Sequence, residues 1–247
     1  MQTADNNSAL WLSQFPFPKP EGHKYDRGHA LIYGGDVMTG AARMAARAAQ
    51  RIGAGLVTVG TPKSSLPIYA EALESVIVRE ANDAAAWREL LAEPKRNAVL
   101  IGPGLGQGPE KAELVLAALE TKKLCVLDAD ALTLFADAPQ KLLSKLHPQC
   151  VLTPHEGEFS KLFGGISKDI DKISRACEAA KIAGCVVLLK GHETVIAQPN
   201  GDVVVNKNAP AWLATAGAGD VLAGIILGLL AQGMSVFMAA AAAAWIH

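Results

Sequence analysis

The chain has 247 residues, of which 50% are hydrophobic and only 5% aromatic. This length suits one large α/β domain or two small ones, and we favour one. With 23 basic and 24 acidic residues the net charge is near zero, and no dense basic cluster occurs. The composition therefore predicts neither a nucleic-acid partner nor an anionic membrane partner.

Cysteine usage and the terminal segments indicate a cytoplasmic protein. The cysteines at positions 125, 150, 177 and 185 form no C-x-x-C pair, which is typical of reduced core residues. The N-terminus shows no basic region followed by an apolar stretch, so no secretory signal is predicted. The apolar segments 221–230 and 236–246 are too short to span a bilayer, and we expect buried helices there.

In chain order, residues 1–23 are predicted to be an extended N-terminal segment lying over a single domain of residues 24–247. The prolines of FPFPKP, residues 15–20, exclude a helix interior. Further on, apolar strands alternate with helical patterns. Strands are predicted at 29–33, 56–60, 75–78, 98–101, 124–127, 150–152 and 185–189. Helices are predicted at 39–52, 83–92, 109–120, 138–146, 156–163 and 168–183.

Continuous apolar strands separated by helices predict a mostly parallel sheet covered on both faces. The runs 194–197 and 202–205, split by QPNG, predict a hairpin that forms an antiparallel edge. Thr39 is a candidate N-cap for the first long helix. One face of that helix carries Ala41, Ala45, Ala48, Ala49 and Ile52, and close packing is the favoured interpretation for most of them.

The stretch ATAGAGDVLAG, residues 214–224, predicts an anion site. The apolar run that follows reads as a buried helix whose first turn is residues 217–220. Unpaired amides and the helix dipole favour phosphate there, and glycine permits its close approach. Asp220 is then either a favourable first-turn carboxylate or, in the reading we prefer, a base facing a phosphoryl acceptor.

Ligands of an open α/β sheet lie beyond the carboxyl ends of its strands, where several polar loops are expected. GPGLG, residues 102–106, is a tight turn or a ligand loop, and its spacing is not that of a dinucleotide-binding fingerprint. Asp128 and Asp130 follow the next strand. One of them is an N-cap, or the pair has a metal or general-base role, and contact with substrate or a hydrated magnesium ion is favoured over proton transfer.

Two further strand ends carry polar residues. His155 follows a strand and a proline, a setting unlike that of a core histidine, whereas a structural role is favoured for Glu156 and Glu158 in the first turn of a helix. Lys190 either neutralises a nucleotide phosphate or is simply solvated. His192 is left unassigned.

The run ATAGAGDVLAGIILGLL resembles the signature of the ribokinase-like superfamily, and within it the ADP/ATP-dependent NAD(P)H-hydrate dehydratases. Other segments agree in order and spacing: KYDRGHALIYGGD, TGAARMAARAAQRIGAGLVTV, NAVLIGPGLG, CVLDADAL, LTPHEGEFSKL and LLKGHETVI. The resemblance runs from about Lys24 to the end of the chain. It implies a ribokinase-like three-layer αβα sandwich.

The resemblance also implies an activity: the repair of NADH or NADPH whose nicotinamide ring has taken up water. ADP or ATP, with Mg²⁺, would phosphorylate the ring hydroxyl, and phosphate would then be eliminated. Asp220 would be the catalytic base, and the substrate-binding residues would be Ala41, Gly106, His155 and Asp220. The nucleotide-binding residues would be Lys190, Gly191, Thr194, Gly217, Ala218 and Gly219, with no protein metal ligand assigned.

Two alternatives remain open: a ribokinase-like small-molecule kinase of the hydroxyethylthiazole or pyridoxal type, and a non-catalytic nucleotide-binding protein. The chain departs from the family by stopping at His247, before a further helical segment, and by lacking a glycine in residues 208–213. No second domain precedes Lys24, so a separate epimerase is expected. Alanine-rich helices with exposed faces favour a homo-oligomer.

Overall fold

A computed structural model describes residues 3–247, which form one sheet and the helices that cover it. The strands are β1 Thr3–Asp5, β2 His29–Tyr33, β3 Leu56–Thr61, β4 Ile77–Glu80, β5 Ala98–Ile101, β6 Leu124–Leu127, β7 Cys150–Leu152, β8 Val186–Leu189, β9 Thr194–Ala197 and β10 Val203–Asn206. The helices are α1 Ser8–Trp11, α2 Thr39–Arg51, α3 Leu66–Ala72, α4 Ala84–Ala92, α5 Pro109–Glu120, α6 Asp130–Thr133, α7 Pro139–Leu143, α8 Glu156–Leu162, α9 Lys172–Ala183, α10 Ala218–Ala231 and α11 Val236–Ile246. Short 3-10 turns occupy Leu12–Gln14, Lys24–Arg27 and Ala211–Leu213.

The sheet has 10 strands in the order β1-β10-β9-β8-β7-β6-β5-β2-β3-β4. Strands β2 to β8 are mutually parallel, as the sequence predicts. The predicted hairpin is present, since β9 runs antiparallel to both β8 and β10. Strand β1 pairs in parallel with β10 and extends the sheet by one strand beyond the hairpin.

Side-chain alternation along the strands divides the core into two layers, because successive residues of a strand point to opposite faces. Ala30 and Ile32 of β2 contribute to a cluster shared with α2, α10 and α11. Leu31 and Tyr33 contribute to the other cluster, shared with α4, α5, α8 and α9. The chain is thus a three-layer αβα sandwich, which confirms the predicted fold class. Within residues 3–247, no helix is both long and apolar enough to cross a membrane.

The N-terminal segment is only partly as predicted. Residues 15–23 are irregular, but Thr3–Asp5 is a strand and Ser8–Trp11 is a helix. Asn7 caps that helix by accepting a bond from the Ala9 amide, and Trp11 is buried at 3% exposure. The segment is therefore anchored to the domain by the pairing of β1 with β10 and by the contact of Trp11 with Trp245, whose ring centroids lie 5.6 Å apart. Residues 1 and 2 of the predicted segment lie outside the described residues.

Several predicted boundaries are wrong for local reasons. Helix α3 was not predicted, and the strand expected at 75–78 lies at Ile77–Glu80. Helix α9 begins at Lys172, since the Asp171 carboxylate accepts the Ser174 amide at 3.0 Å and sets the helix start. Thr39 is not an N-cap: the cap position of α2 is Met38, and no side chain there bonds the helix amides.

Helices α2 and α10 pack unusually closely, which matters for the site. A Cβ atom on Gly224 would lie 2.7 Å from Ala45 Cα, and one on Gly228 would lie 2.7 Å from the Ala49 carbonyl oxygen. Both pairs are spaced by one turn, so the helices run in the same direction and in register. One turn nearer the helix starts, this register places Ala41 opposite Asp220.

Candidate active site

The loops after β2 and β5 touch each other at the carboxyl edge of the sheet. Gly35 lies so close to Gly104 that a Cβ atom on Gly35 would stand 2.7 Å from the Gly104 carbonyl carbon. The loop after β5 is also held by Asp130, whose carboxylate accepts the Gly106 amide at 2.9 Å and the Gln107 side-chain amide at 2.9 Å. Gly106, a predicted substrate-side residue, is therefore fixed in place by Asp130.

Neither aspartate of the DADAL turn is an N-cap, so that interpretation is wrong. The cap position of α6 is Ala129, with a φ of 48° and no side-chain bond. Asp130 is the first residue of the helix, and its carboxylate turns to the Gly106 loop. Asp128 is buried at 2% exposure and turns to Lys190.

A buried ion cluster joins the ends of β6, β7 and β8. Lys190 Nζ donates a hydrogen bond to Asp128 Oδ1 at 2.8 Å and lies 3.8 Å from Glu158 Oε2. The side chains of the three residues are 19%, 3% and 7% exposed. Burial acts to lower the pKa of Lys190, but the neighbouring carboxylates of Asp128 and Glu158 outweigh it and raise that pKa. Lys190 is thus a charged, largely buried lysine, and the solvated alternative is wrong.

His155 and Glu158 form a capping box at the start of α8. His155 Nδ1 accepts the Gly157 amide at 2.9 Å, and Glu158 Oε2 accepts the His155 amide at 2.8 Å. The histidine side chain is 60% exposed, so it faces the solvent beside the ion cluster. Glu158 therefore has both the structural role expected for it and a second, electrostatic contact with Lys190. Glu156 instead pairs with Arg175 at 2.8 Å.

The start of α10 has the features of an anion site. Its cap position is Gly217, with a φ of 89° that glycine adopts readily. Within residues 3–247 no side chain caps this helix, and the Ala218 amide makes only a 3.4 Å bond to the Thr215 carbonyl. The Lys190 ammonium lies close by, 3.4 Å from where a Cβ atom on Gly219 would stand. Open amides, the helix dipole and a cation thus meet at one point.

Asp220 is half-buried in the first turn of the same helix. Burial and, to a lesser extent, the charge of Asp128 raise its pKa while Lys190 lowers it, and the net result is a pKa of about 6. A carboxyl with a pKa near neutrality is suited to exchange a proton at physiological pH. Ala41 lies on the neighbouring helix α2 and is buried at 6% exposure.

The remaining predicted nucleotide residues follow Lys190. Gly191 is exposed, and the Lys172 ammonium beside it donates to the Lys190 carbonyl at 3.1 Å. Thr194 is buried at 8% exposure, and its hydroxyl donates to the Gly191 carbonyl at 3.4 Å. Thr194 thus orders the loop after β8.

No local sequence pattern indicates the contact between Lys190 and Asp128, because 62 residues separate them along the chain. Nor does any indicate Lys172, whose partners are backbone carbonyls of another loop. Lys111 was missed although it carries a local signal, a cation in the first turn of a helix, where the dipole disfavours it. Among residues 3–247, no cluster of three or more His, Cys, Asp or Glu side chains could hold a metal ion.

Relatives of this chain have named activities. It is 38% identical to the ADP-dependent (S)-NAD(P)H-hydrate dehydratase of Neisseria meningitidis, over 92% of this chain and 77% of that protein. It is 39% identical to the bifunctional NAD(P)H-hydrate repair enzyme Nnr of Moorella thermoacetica, over 97% of this chain and 48% of that protein. The chain therefore spans about half the length of that bifunctional relative.

A solved structure and a family model agree with these similarities. The crystal structure of the ADP/ATP-dependent NAD(P)H-hydrate dehydratase of Bacillus subtilis, co-crystallised with ATP and Mg²⁺, superimposes with a TM-score of 0.82 at 30% identity, covering 98% of this chain and 86% of that one. The predicted ribokinase-like fold is thereby confirmed. A family model described as NAD(P)H-hydrate dehydratase matches residues 30–247. This chain belongs to the NAD(P)H-hydrate dehydratase family.

Proposed function

We propose that the chain catalyses the ADP- or ATP-dependent dehydration of hydrated NADH or NADPH. The observation that carries this proposal is the pairing of a half-buried carboxyl, Asp220, with open amides and a buried lysine at one helix start. This is what phosphoryl transfer to a hydroxyl requires: a base on the acceptor side, a cradle for the phosphoryl group and neutralising charge. Family membership supports the hydrated nicotinamide ring as the acceptor.

The chemistry explains why a kinase-like fold would serve a dehydration. A ring hydroxyl is a poor leaving group, whereas a phosphate ester departs readily. Asp220 accepts the hydroxyl proton as the oxygen forms a bond to the terminal phosphorus, and the bond from that phosphorus to the bridging oxygen breaks. The lone pair of the ring nitrogen then expels phosphate, and loss of a ring proton restores the double bond. Each turnover thus converts one hydrate and one ADP or ATP into one repaired dinucleotide, one phosphate and one AMP or ADP.

Lys190 and the amides of residues 217–219 would bind the phosphoryl group. The ammonium is held in position by Asp128 and Glu158, so it is preorganised before the nucleotide arrives. A magnesium ion supplies further charge neutralisation and usually binds through phosphate oxygens with only one or two carboxylates. The carboxylate of Asp128, which contacts Lys190 beside this helix start, would meet that limited requirement.

The substrate side of the site would be formed by Ala41, Gly106, His155 and Asp220. By the register of the α2–α10 contact, Ala41 would lie opposite Asp220, and its small side chain would leave room for the ring. Gly106 is fixed by Asp130 at the end of its loop. His155 Nδ1 accepts helix amides, so Nε2 would be the donor to the dinucleotide, and that atom lies 3.4 Å from Glu158 Oε1 on the exposed side of the ring. Gly191 and Thr194 would complete the nucleotide side.

The test is turnover of hydrated NADH or NADPH with ADP or ATP. Recovery of the dinucleotide absorbance and release of phosphate measure it. Asp220→Asn should reduce turnover by about 10²–10⁴-fold, the range for a lost general base. The variant should retain the nucleotide-induced rise in melting temperature, since the amides and Lys190 are unchanged. An active Asp220→Asn protein would refute the base assignment. Turnover only with a thiazole or pyridoxal-type acceptor would support the small-molecule kinase instead.

Three further features belong to the same proposal. Four free, buried cysteines at positions 125, 150, 177 and 185 suit a reducing cytoplasm. The bifunctional name of the Moorella relative supports an epimerase working beside this activity. A homo-oligomer is expected as well, and light scattering at increasing protein concentration would measure it.

A further inference from the structure

Lys111 lies where the loop after β2 meets the Gly106 loop after β5. It belongs to the first turn of α5, and its Nζ atom is 3.8 Å from Asp36 Oδ1 in the loop after β2. Its Cε atom is 4.0 Å from where a Cβ atom on Gly106 would stand. The lysine side chain is only 16% exposed, whereas Asp36 is 40% exposed. The ammonium is thus drawn inward between the loops instead of extending into solvent.

This position is poorly compensated within the protein. The helix dipole disfavours a cation in the first turn. An ammonium has three hydrogen-bond donors, and 3.8 Å is too long for a hydrogen bond. Among residues 3–247, Lys111 Nζ makes no hydrogen bond to another residue, and Asp36 is its single ion-pair partner. A partly buried cation with free donors, beside a glycine that leaves space, is suited to an incoming anion.

We propose that Lys111 binds a phosphate group of the dinucleotide, and this assignment rests on the proposed function. The substrate carries a pyrophosphate, and its phosphorylated form carries a 2′-phosphate as well. Lys190 and the start of α10 are assigned to the nucleotide, so the dinucleotide needs its own cation on the Gly106 side. Lys111 stands there, and the exposed Asp36 can release it when a phosphate arrives.

The experiment compares Lys111→Met and Lys111→Arg with wild type, using hydrated NADH and hydrated NADPH in separate arms. Lys145→Met is the control, since Lys145 is exposed and its side chain makes no ion pair among the described residues. Lys111→Met should raise KM for the dinucleotide about tenfold, the loss of one charge-assisted contact. The kcat and the KM for ATP should stay within about twofold, because the phosphoryl-transfer groups are untouched. Lys111→Arg should restore most of the affinity.

The two arms separate the two phosphates: a defect in both identifies the pyrophosphate, and a defect with hydrated NADPH alone identifies the 2′-phosphate. Asp36→Asn tests the simpler view that the pair only ties two loops together. That view predicts the same rise in KM for both variants, whereas phosphate binding predicts no rise for Asp36→Asn. Equal defects, an unchanged KM in Lys111→Met, or a fall in kcat alone would overturn the assignment. Absence of turnover by wild type would overturn the proposed function and this assignment with it.

Discussion

Lys190 Nζ donates a 2.8 Å hydrogen bond to Asp128 Oδ1, and this bond joins the carboxyl ends of β6 and β8 across the strand between them. Glu158, which follows that middle strand, lies 3.8 Å from the same ammonium. The parallel sheet thus brings three distant residues into one charged cluster beside the start of α10.

The pH dependence of activity should report Asp220. Because the base must be ionised to accept a proton, kcat/KM should rise with pH through an apparent pKa near 6. Asp128→Asn should move this rise to lower pH, since it removes a negative charge that raises the pKa of Asp220. Steady-state rates across the acidic range measure both profiles. A rise that moves to higher pH in the variant would contradict the assignment.

Asp220 should also limit the stability of the protein above neutral pH. Its pKa is raised from 3.8 to about 6 on folding, so the folded state binds more protons than the unfolded state between those values. The free energy of unfolding therefore falls as pH rises through this window. Asp220→Asn does not titrate and should be more stable than wild type at about pH 8 by on the order of 1 kcal/mol, a figure reduced for solvent screening of a half-buried group.

Urea unfolding at both ends of that window measures the difference. At about pH 4 the two proteins should differ little in free energy of unfolding, because the folded wild-type carboxyl is largely protonated and the unfolded one is only about half ionised. A variant that is less stable than wild type at high pH would show that Asp220 is held by a favourable contact.

Removal of Lys190 should destabilise the fold as well as weaken nucleotide binding. Lys190→Met leaves the carboxylates of Asp128 and Glu158 buried without a cation, a change that typically costs about 3–5 kcal/mol. The double variant Lys190→Met/Asp128→Asn should lose less than the sum of the single losses, because the residues interact directly. Chemical denaturation of the four proteins completes this cycle. Lys207→Met, which removes an exposed pair with Asp5, is the control and should change the midpoint little.

The close approach of α10 to α2 should be sensitive to a single methyl group. In Gly224→Ala the new Cβ atom would lie 2.7 Å from Ala45 Cα, so the helices must separate at a cost of about 1–3 kcal/mol. The same movement shifts Asp220 relative to Ala41 and should lower kcat. Gly165→Ala is the matched control, since no atom lies within 4 Å of its new Cβ. Equal stability of the two variants, measured by thermal unfolding, would refute the tight packing.

Much of the fold follows from local sequence patterns. The apolar runs that became β5, β6 and β7 have the predicted bounds, because a strand buried on both faces needs apolar residues at every position. The GAGD turn is likewise predictable from local sequence, since small residues before a long apolar run expose the amides of a helix start. The pattern was less informative for α3 and β4 at the sheet edge. There, partial burial leaves a weaker periodic signal.

Only the tertiary structure decided which polar residues meet. Sequence spacing indicated Lys190, Asp220 and His155 as separate strand-end or helix-start residues, but it gave Asp128 as a candidate cap and Lys190 as a candidate solvated side chain. The contact between Lys190 and Asp128 depends on the order of strands in the sheet, and the opposition of Ala41 and Asp220 depends on the register of two helices. Electrostatic and packing interactions act over a few ångströms in space, whereas a local sequence pattern constrains only neighbours along the chain.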